Sequence, residues 1–322
     1  MKLTKTLLIL SALTFCLILI SCGNNSKNSD SLQLESAVEH SSVYTDYLTT
    51  EELKKTVSDS SNETDIKKTD NSQKFNEYCQ KMQSIIDDYP FDCSVIVYSM
   101  DNGEIFSHNT NEKMYAASTI KLAYAYFCCT QIENGVHSLE ETITYTPEVY
   151  SDGSGEIQYM HYGTQLSVKQ LLEYTMKYSD NVGYNMLIRI FGTDGFNRMM
   201  QDWGYDIHIT FLNGYDSVTA EMLKDFMLKM VRKKSDGESW KIVWNALNNS
   251  TDSIIRPEIA NVGNIAVKFG TVEFIYHEVC YIDSDSPYIL VVMTITDKVD
   301  EGDEKLFKSI AKCADNMINV LK

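Results

Sequence analysis

Three short segments hold residue types that can carry out acyl transfer: Ser118-Thr119-Ile120-Lys121, Ser179-Asp180-Asn181 and Lys268-Phe269-Gly270-Thr271. Ser118 and Lys121 stand three apart, so the first turn of a helix puts them on one face with the amine in reach of the hydroxyl. A serine is a weak nucleophile until a neighbour takes its proton, and a desolvated lysine can do that once its pKa falls. Ile120, Leu122 and Ala123 supply the apolar surroundings. The N–H groups at the helix start favour negative charge developing there. The bland alternative makes Ser118 an N-cap and Lys121 a solvated flank, and Ser-x-x-Lys arises by chance roughly once in a chain of this length.

Ser179-Asp180-Asn181 falls between two expected helices, where Ser179 can relay a proton and Asn181 can hold a substrate amide. All three residue types also make plain capping turns. Lys268 lies on an expected strand and offers a cation to a substrate carboxylate, and Gly270 allows close approach to the backbone. The Thr271 N–H can join that of Ser118 as an oxyanion hole. Here the alternative is an edge-strand lysine that discourages aggregation. Each motif has an ordinary explanation alone; their order and placement together favour chemistry. His40, His108, His137, His161, His208 and His277 show no paired spacing, and no cysteine pattern fits a metal, so neither metal nor cofactor is expected.

These side chains need a scaffold. Helical periodicity covers 75–88, 119–132, 168–178 (with Ser167 as N-cap), 182–191, 195–202, 219–233, 238–248 and 303–321. Strand patterns cover 93–100 and 104–108, joined by the Asp101-Asn102-Gly103 turn signal, then 265–269, 272–281 and 288–296. This order implies an α+β fold. Both chain ends build a five-stranded antiparallel sheet flanked by terminal helices (72–117 and 262–322), and a central helical lobe (118–261) closes a cleft against it.

The three motifs, with Tyr150-x-x-Gly153-Ser154-Gly155-x-Ile157-Gln158 and Ser167-Val168-Lys169-Gln170-Leu171-Leu172, resemble the penicillin-recognising serine hydrolases, nearest the class A β-lactamases. The resemblance runs from about Phe75 to the C-terminus. It implies that Ser118 is the nucleophile, Lys121 its activator and Ser179 the proton relay to the leaving nitrogen. Asn181 would contact the substrate and Lys121, Lys268 would help bind a carboxylate, and Tyr150 would stand at the cleft entrance. Two positions depart from the family pattern. Phe269 stands where members carry Ser or Thr, and Ile209 stands where the deacylating Glu of class A enzymes belongs, ahead of Phe211-Leu212-Asn213. Asp206 and His208 lie near that position without occupying it. Weak or slow β-lactam turnover is therefore expected, with a non-hydrolytic wall-fragment or β-lactam sensor as the alternative.

The N-terminus reads as an address. Lys2 and Lys5 precede an apolar run from Leu7 to Ile20, a signal-peptide core too short for a comfortable span. Leu19-Ile20-Ser21-Cys22-Gly23 resembles a lipobox, which implies removal of 1–21, lipidation of Cys22 and anchoring on the outer face of the bacterial cytoplasmic membrane or in the cell envelope. Residues 22–71 are polar enough to read as a flexible tether, leaving 72–322 as the folded domain. A formal net charge of -17 excludes a nucleic-acid partner and polybasic membrane attraction. The expected partner is a small β-lactam or cell-wall peptide, and the expected state is a monomer. Cys128 and Cys129 suit core positions, while Cys79 and Cys313 on the terminal helices could bridge in an oxidising compartment.

Overall fold

The computed structural model describes residues 63–211, 213–259, 262–297 and 301–322. The expected signal peptide, Cys22 and most of the tether lie outside them. Among the described residues no helix is long and apolar enough to cross a membrane.

In chain order the elements are α1 (Glu63–Asp87), β1 (Cys93–Ser99), β2 (Gly103–His108), β3 (Met114–Tyr115), α2 (Ile120–Glu133), β4 (Thr142–Thr144), β5 (Gln165–Ser167), α3 (Val168–Lys177), α4 (Asn181–Phe191) and α5 (Asp194–Asp202). They continue with β6 (Ser217–Val218), α6 (Ala220–Lys233), α7 (Glu238–Asn248), β7 (Asn264–Val272), β8 (Ile275–Asp283), β9 (Tyr288–Ile295) and α8 (Glu301–Val320). The main sheet has five antiparallel strands in the order β2-β1-β9-β8-β7. The architecture is the expected α+β arrangement.

Side chains alternate across a strand, so each strand feeds two layers. Val95, Val97, Val267, Leu290 and Val292 pack against Phe307, Ile310, Ala314 and Met317 of α8 and Met82 of α1. Ile96, Ala266, Val279, Ile289, Val291 and Met293 join Leu122, Phe226 and Val243 in the core beneath the helical lobe. Burial on both faces is why β9 reads Tyr-Ile-Leu-Val-Val-Met-Thr-Ile without polar alternation.

Two boundaries differ from the sequence expectation. Helix α1 begins at Glu63, ahead of the domain start at 72 inferred from composition. Charged, helix-permissive residues such as Glu63, Lys67 and Lys68 extend a helix whose apolar stripe starts only at Phe75, so a hydrophobicity criterion begins it too late. Strand β7 also continues through Gly270 to Val272, with Gly270 opposite His277 and Val272 opposite Ile275. Gly270 is therefore paired within the strand. Cys79, Cys93, Cys128, Cys129, Cys280 and Cys313 are free thiols, and the Cys313 thiol donates to the Tyr78 carbonyl at 3.4 Å.

Strand β7 is an edge strand, and its Gly270 presses on the turn that opens α2. A Cβ at Gly270 would lie 2.8 Å from the Ser118 and Thr119 nitrogens and 3.0 Å from the Ala116 oxygen. Backbone atoms cannot yield as a flexible side chain does, so sheet and helical lobe meet here with no room to spare. Gly270→Ala is expected to lower stability by about 1–3 kcal/mol, measured by urea unfolding, and to slow modification of Ser118. Unchanged stability and reactivity would show that this contact does not fix the turn.

Candidate active site

Ser118 sits in a 3-10 turn, Ala117–Thr119, that runs directly into α2. Ala117 has φ 44° and Ser179 has φ 55°, left-handed values that side chains larger than glycine rarely adopt. A non-glycine residue held there costs of order 1–3 kcal/mol, so the surrounding structure must impose it. At Ser118 that structure is β7 and Gly270. At Ser179 it is a clamp around the next two residues.

Asp180 caps α4 by accepting from the Gly183 N–H at 2.8 Å, and its other oxygen accepts the Glu156 and Ile157 N–H groups at 2.7 and 2.9 Å. Asn181 donates its N–H to the Ser154 carbonyl (3.0 Å) and its side-chain amide to the Asp152 carbonyl (2.7 Å). Gln158 ties the same loop by donating to the Gly153 and Gly155 carbonyls. Gly155 has φ 112°, and a Cβ there would lie 2.3 Å from Asp180 Cγ. The Gly-Ser-Gly loop is thus a socket for the Ser-Asp-Asn turn.

Within this frame Lys121 Nζ lies 3.0 Å from Ser118 Oγ, 2.5 Å from the Ser179 carbonyl oxygen, 2.6 Å from Asn181 Oδ1 and 3.5 Å from Ser179 Oγ. Lys268 Nζ reaches Ser179 Oγ at 2.9 Å and the Phe269 carbonyl at 2.6 Å. Lys121, Ser179, Asp180 and Lys268 are fully buried, while Ser118 keeps 8% of its surface exposed. Burial lowers Lys121 to about 7, against the pull of Asp180 toward the charged form. Burial also drives Lys268 well below 10.5, and the nearby Lys121 charge adds to that fall.

The neutral form of Lys121 has two N–H donors and one lone pair. Its two shortest contacts, to the Ser179 carbonyl and Asn181 Oδ1, are to acceptors and use both donors. The lone pair is left for the Ser118 hydroxyl at 3.0 Å. That is the arrangement a general base requires, with the amine half-deprotonated near neutral pH.

Thr271 follows Gly270 on the strand and is exposed. Tyr150, 47% exposed, stands two residues before the Asp152 carbonyl that holds Asn181. Phe269 is 3% exposed, and its ring centre lies 4.4 Å from Lys268 Nζ. Ile209 is fully buried in the core, with its backbone tied to the Asn197 amide. Asp206 pairs at the surface with Lys113, and His208 is exposed. Neither is among the hydrogen-bond partners of Lys121, which among the described residues are Ser118, Ser179 and Asn181. His161, also exposed, is fixed through its carbonyl to Thr164. Sequence reasoning missed Tyr215, whose hydroxyl donates to Asn181 Oδ1 at 3.3 Å, and Tyr184, whose ring centre is 5.7 Å from Lys121 Nζ. Tyr184 follows closely on Ser-Asp-Asn in α4 and could have been found by helical spacing; Tyr215 carries no sequence signal.

The family model described as the β-lactamase enzyme family matches residues 77–318. A β-lactamase of Bacillus licheniformis is 23% identical over 252 residues, covering 71% of this chain and 81% of that protein. One from Bacillus subtilis is 30% identical over 120 residues, 35% of this chain and 37% of that protein. Among solved structures, a PBP-A variant in acyl-enzyme complex with penicillin G superposes with TM-score 0.68 at 20% identity, covering 74% of this chain and 95% of that chain. A β-lactamase from Sphaerobacter thermophilus gives 0.66 at 18% identity, covering 77% and 97%.

The base form of Lys121 is the reactive one, so the rate of Ser118 acylation is expected to rise with pH and reach half its plateau near pH 7, where Lys121 titrates. Lys121→Ala is expected to lower that rate by about 10²–10⁴-fold, the usual worth of a general base. Both are measured as rates of covalent mass gain across pH 5–9. A flat profile in the parent would remove Lys121 from the role.

Proposed function

The chain belongs to the β-lactamase enzyme family, and from that premise we propose that it is an extracytoplasmic, lipid-anchored serine hydrolase. Its acyl-serine, formed with a β-lactam, amide or peptide, turns over slowly. The observation that carries this proposal is the buried Lys121 amine aimed at Ser118, with its remaining contacts supplied by Ser179 and Asn181.

Ser118 Oγ attacks the substrate carbonyl as its proton passes to Lys121. The Ser118 and Thr271 N–H groups hold the oxyanion, a placement supported by the contact of Gly270 with the Ser118 nitrogen. Collapse breaks the carbonyl–nitrogen bond. The proton reaches the leaving nitrogen through Ser179 Oγ, which Lys268 polarises at 2.9 Å. Asn181 and Tyr150 line the substrate's path.

Deacylation needs a base for water. The position where class A enzymes carry Glu is Ile209, buried and backbone-bound, and Asp206 is engaged with Lys113. Asp180 spends its carboxylate on three backbone N–H groups. These facts support slow turnover, and they also favour the second reading, a covalent sensor of β-lactams or wall fragments. The outward location rests on the apolar run to Ile20 and on Cys22 as the lipidated residue.

Intact-mass measurement of the full chain with benzylpenicillin tests the proposal. A one-to-one adduct persisting for hours in the parent and absent from Ser118→Ala is the expected result. Rapid drug consumption without an adduct would overturn slow turnover, and absence of both would overturn the acyl-serine site.

A further inference from the structure

The residue after Lys268 changes what the strand offers a substrate. Phe269 is buried, with 3% of its surface exposed. Its ring lies against the Lys268 amine, 4.4 Å from centroid to Nζ. The Lys268 N–H groups point at Ser179 Oγ and at the Phe269 carbonyl, so two donors are already used inside the protein. A third exists only in the protonated form, which burial disfavours.

Two further cations near this strand, among the described residues, are already engaged. The Arg256 guanidinium donates to the Ser250, Leu247 and Ile265 carbonyls. Lys121 is enclosed by Ser118, Ser179 and Asn181. The charges that act on the pair from outside are carboxylates, Asp180 on Lys121 and Asp252 on Lys268. Across the strand pair from Phe269 is Glu278, buried and held by Ser253, Tyr276 and the Ile254 N–H. A substrate carboxylate brought to this strand loses its water and meets a ring and an amine whose donors are already used. A neutral group at the same place loses far less.

We propose that Phe269 makes the site select acyl donors with no carboxylate beside the scissile bond: neutral amides, esters or lactams. The proposal rests on the acyl-serine mechanism above and narrows its substrate class. The exposed Thr271 hydroxyl, without a cation behind it, does not restore anion selectivity.

Benzylpenicillin and its methyl ester isolate the effect, because they share the reacting ring and differ only in the carboxylate. In both, Ser118 Oγ bonds to the lactam carbonyl carbon and the ring carbon–nitrogen bond breaks. The serine proton ends on the ring nitrogen by way of Lys121 and Ser179. Acylation rates of the full chain are compared by intact mass. The ester is expected to acylate the parent about tenfold faster than the acid, Phe269→Leu to keep that preference, and Phe269→Ser to reverse it. Faster acylation of the parent by the acid overturns the proposal, as does a ratio unmoved in a folded Phe269→Ser. If that variant does not fold, the parent ratio decides alone. Acylation by neither compound overturns the acyl-serine mechanism itself and the selectivity with it.

Discussion

Two lysine amines buried in one water-poor space, both reaching for Ser179, set the terms for the rest of this structure. A buried ammonium is costly unless paired, and two side by side are worse, because each opposes the other's charge. Neither forms a salt bridge with a carboxylate among the described residues; their partners are hydroxyls, a side-chain amide oxygen and backbone carbonyls. Such partners satisfy N–H groups without fixing the positive charge. The arrangement therefore keeps a lysine that can be a base near neutral pH.

Holding that arrangement requires three distant segments to meet within ångströms. The 3-10 turn that runs into α2 brings Ser118 beside Lys121 at the helix start. The Ser-Asp-Asn turn is socketed by the Gly153–Gly155 loop, and β7 is pressed onto the Ser118 turn through Gly270. The left-handed backbone at Ala117 and Ser179 shows where the fit is imposed rather than relaxed. The sheet can impose it because its central strands are buried on both faces between α1 and α8 on one side and the helical lobe on the other.

Much of this was legible in the sequence, for a physical reason. Ser-x-x-Lys spacing puts Ser118 beside Lys121, strand and helix periods give the α+β class, and Ser167 is the N-cap it reads as, to which the structure adds the Gln170 half of a capping box. What the sequence hid depends on contacts between remote segments. Asp180 reads as a cap, but two of its three N–H partners come from a loop more than twenty residues earlier. Tyr215 meets Asn181 only because the chain returns through β6 and the loop before it. Phe269 was visible as a departure; that its ring turns onto the neighbouring lysine was not.

The central claim is that Lys121 gives up its proton near neutral pH, and its nitrogen can be observed directly. Nζ-detected ¹⁵N NMR of lysine-labelled protein, with Lys121→Arg to assign the resonance, would follow its protonation against pH. The account predicts a midpoint near 7, where burial places it. A Lys121 that stays protonated up to its ordinary value of 10.5 would contradict the account and leave Ser118 without its base.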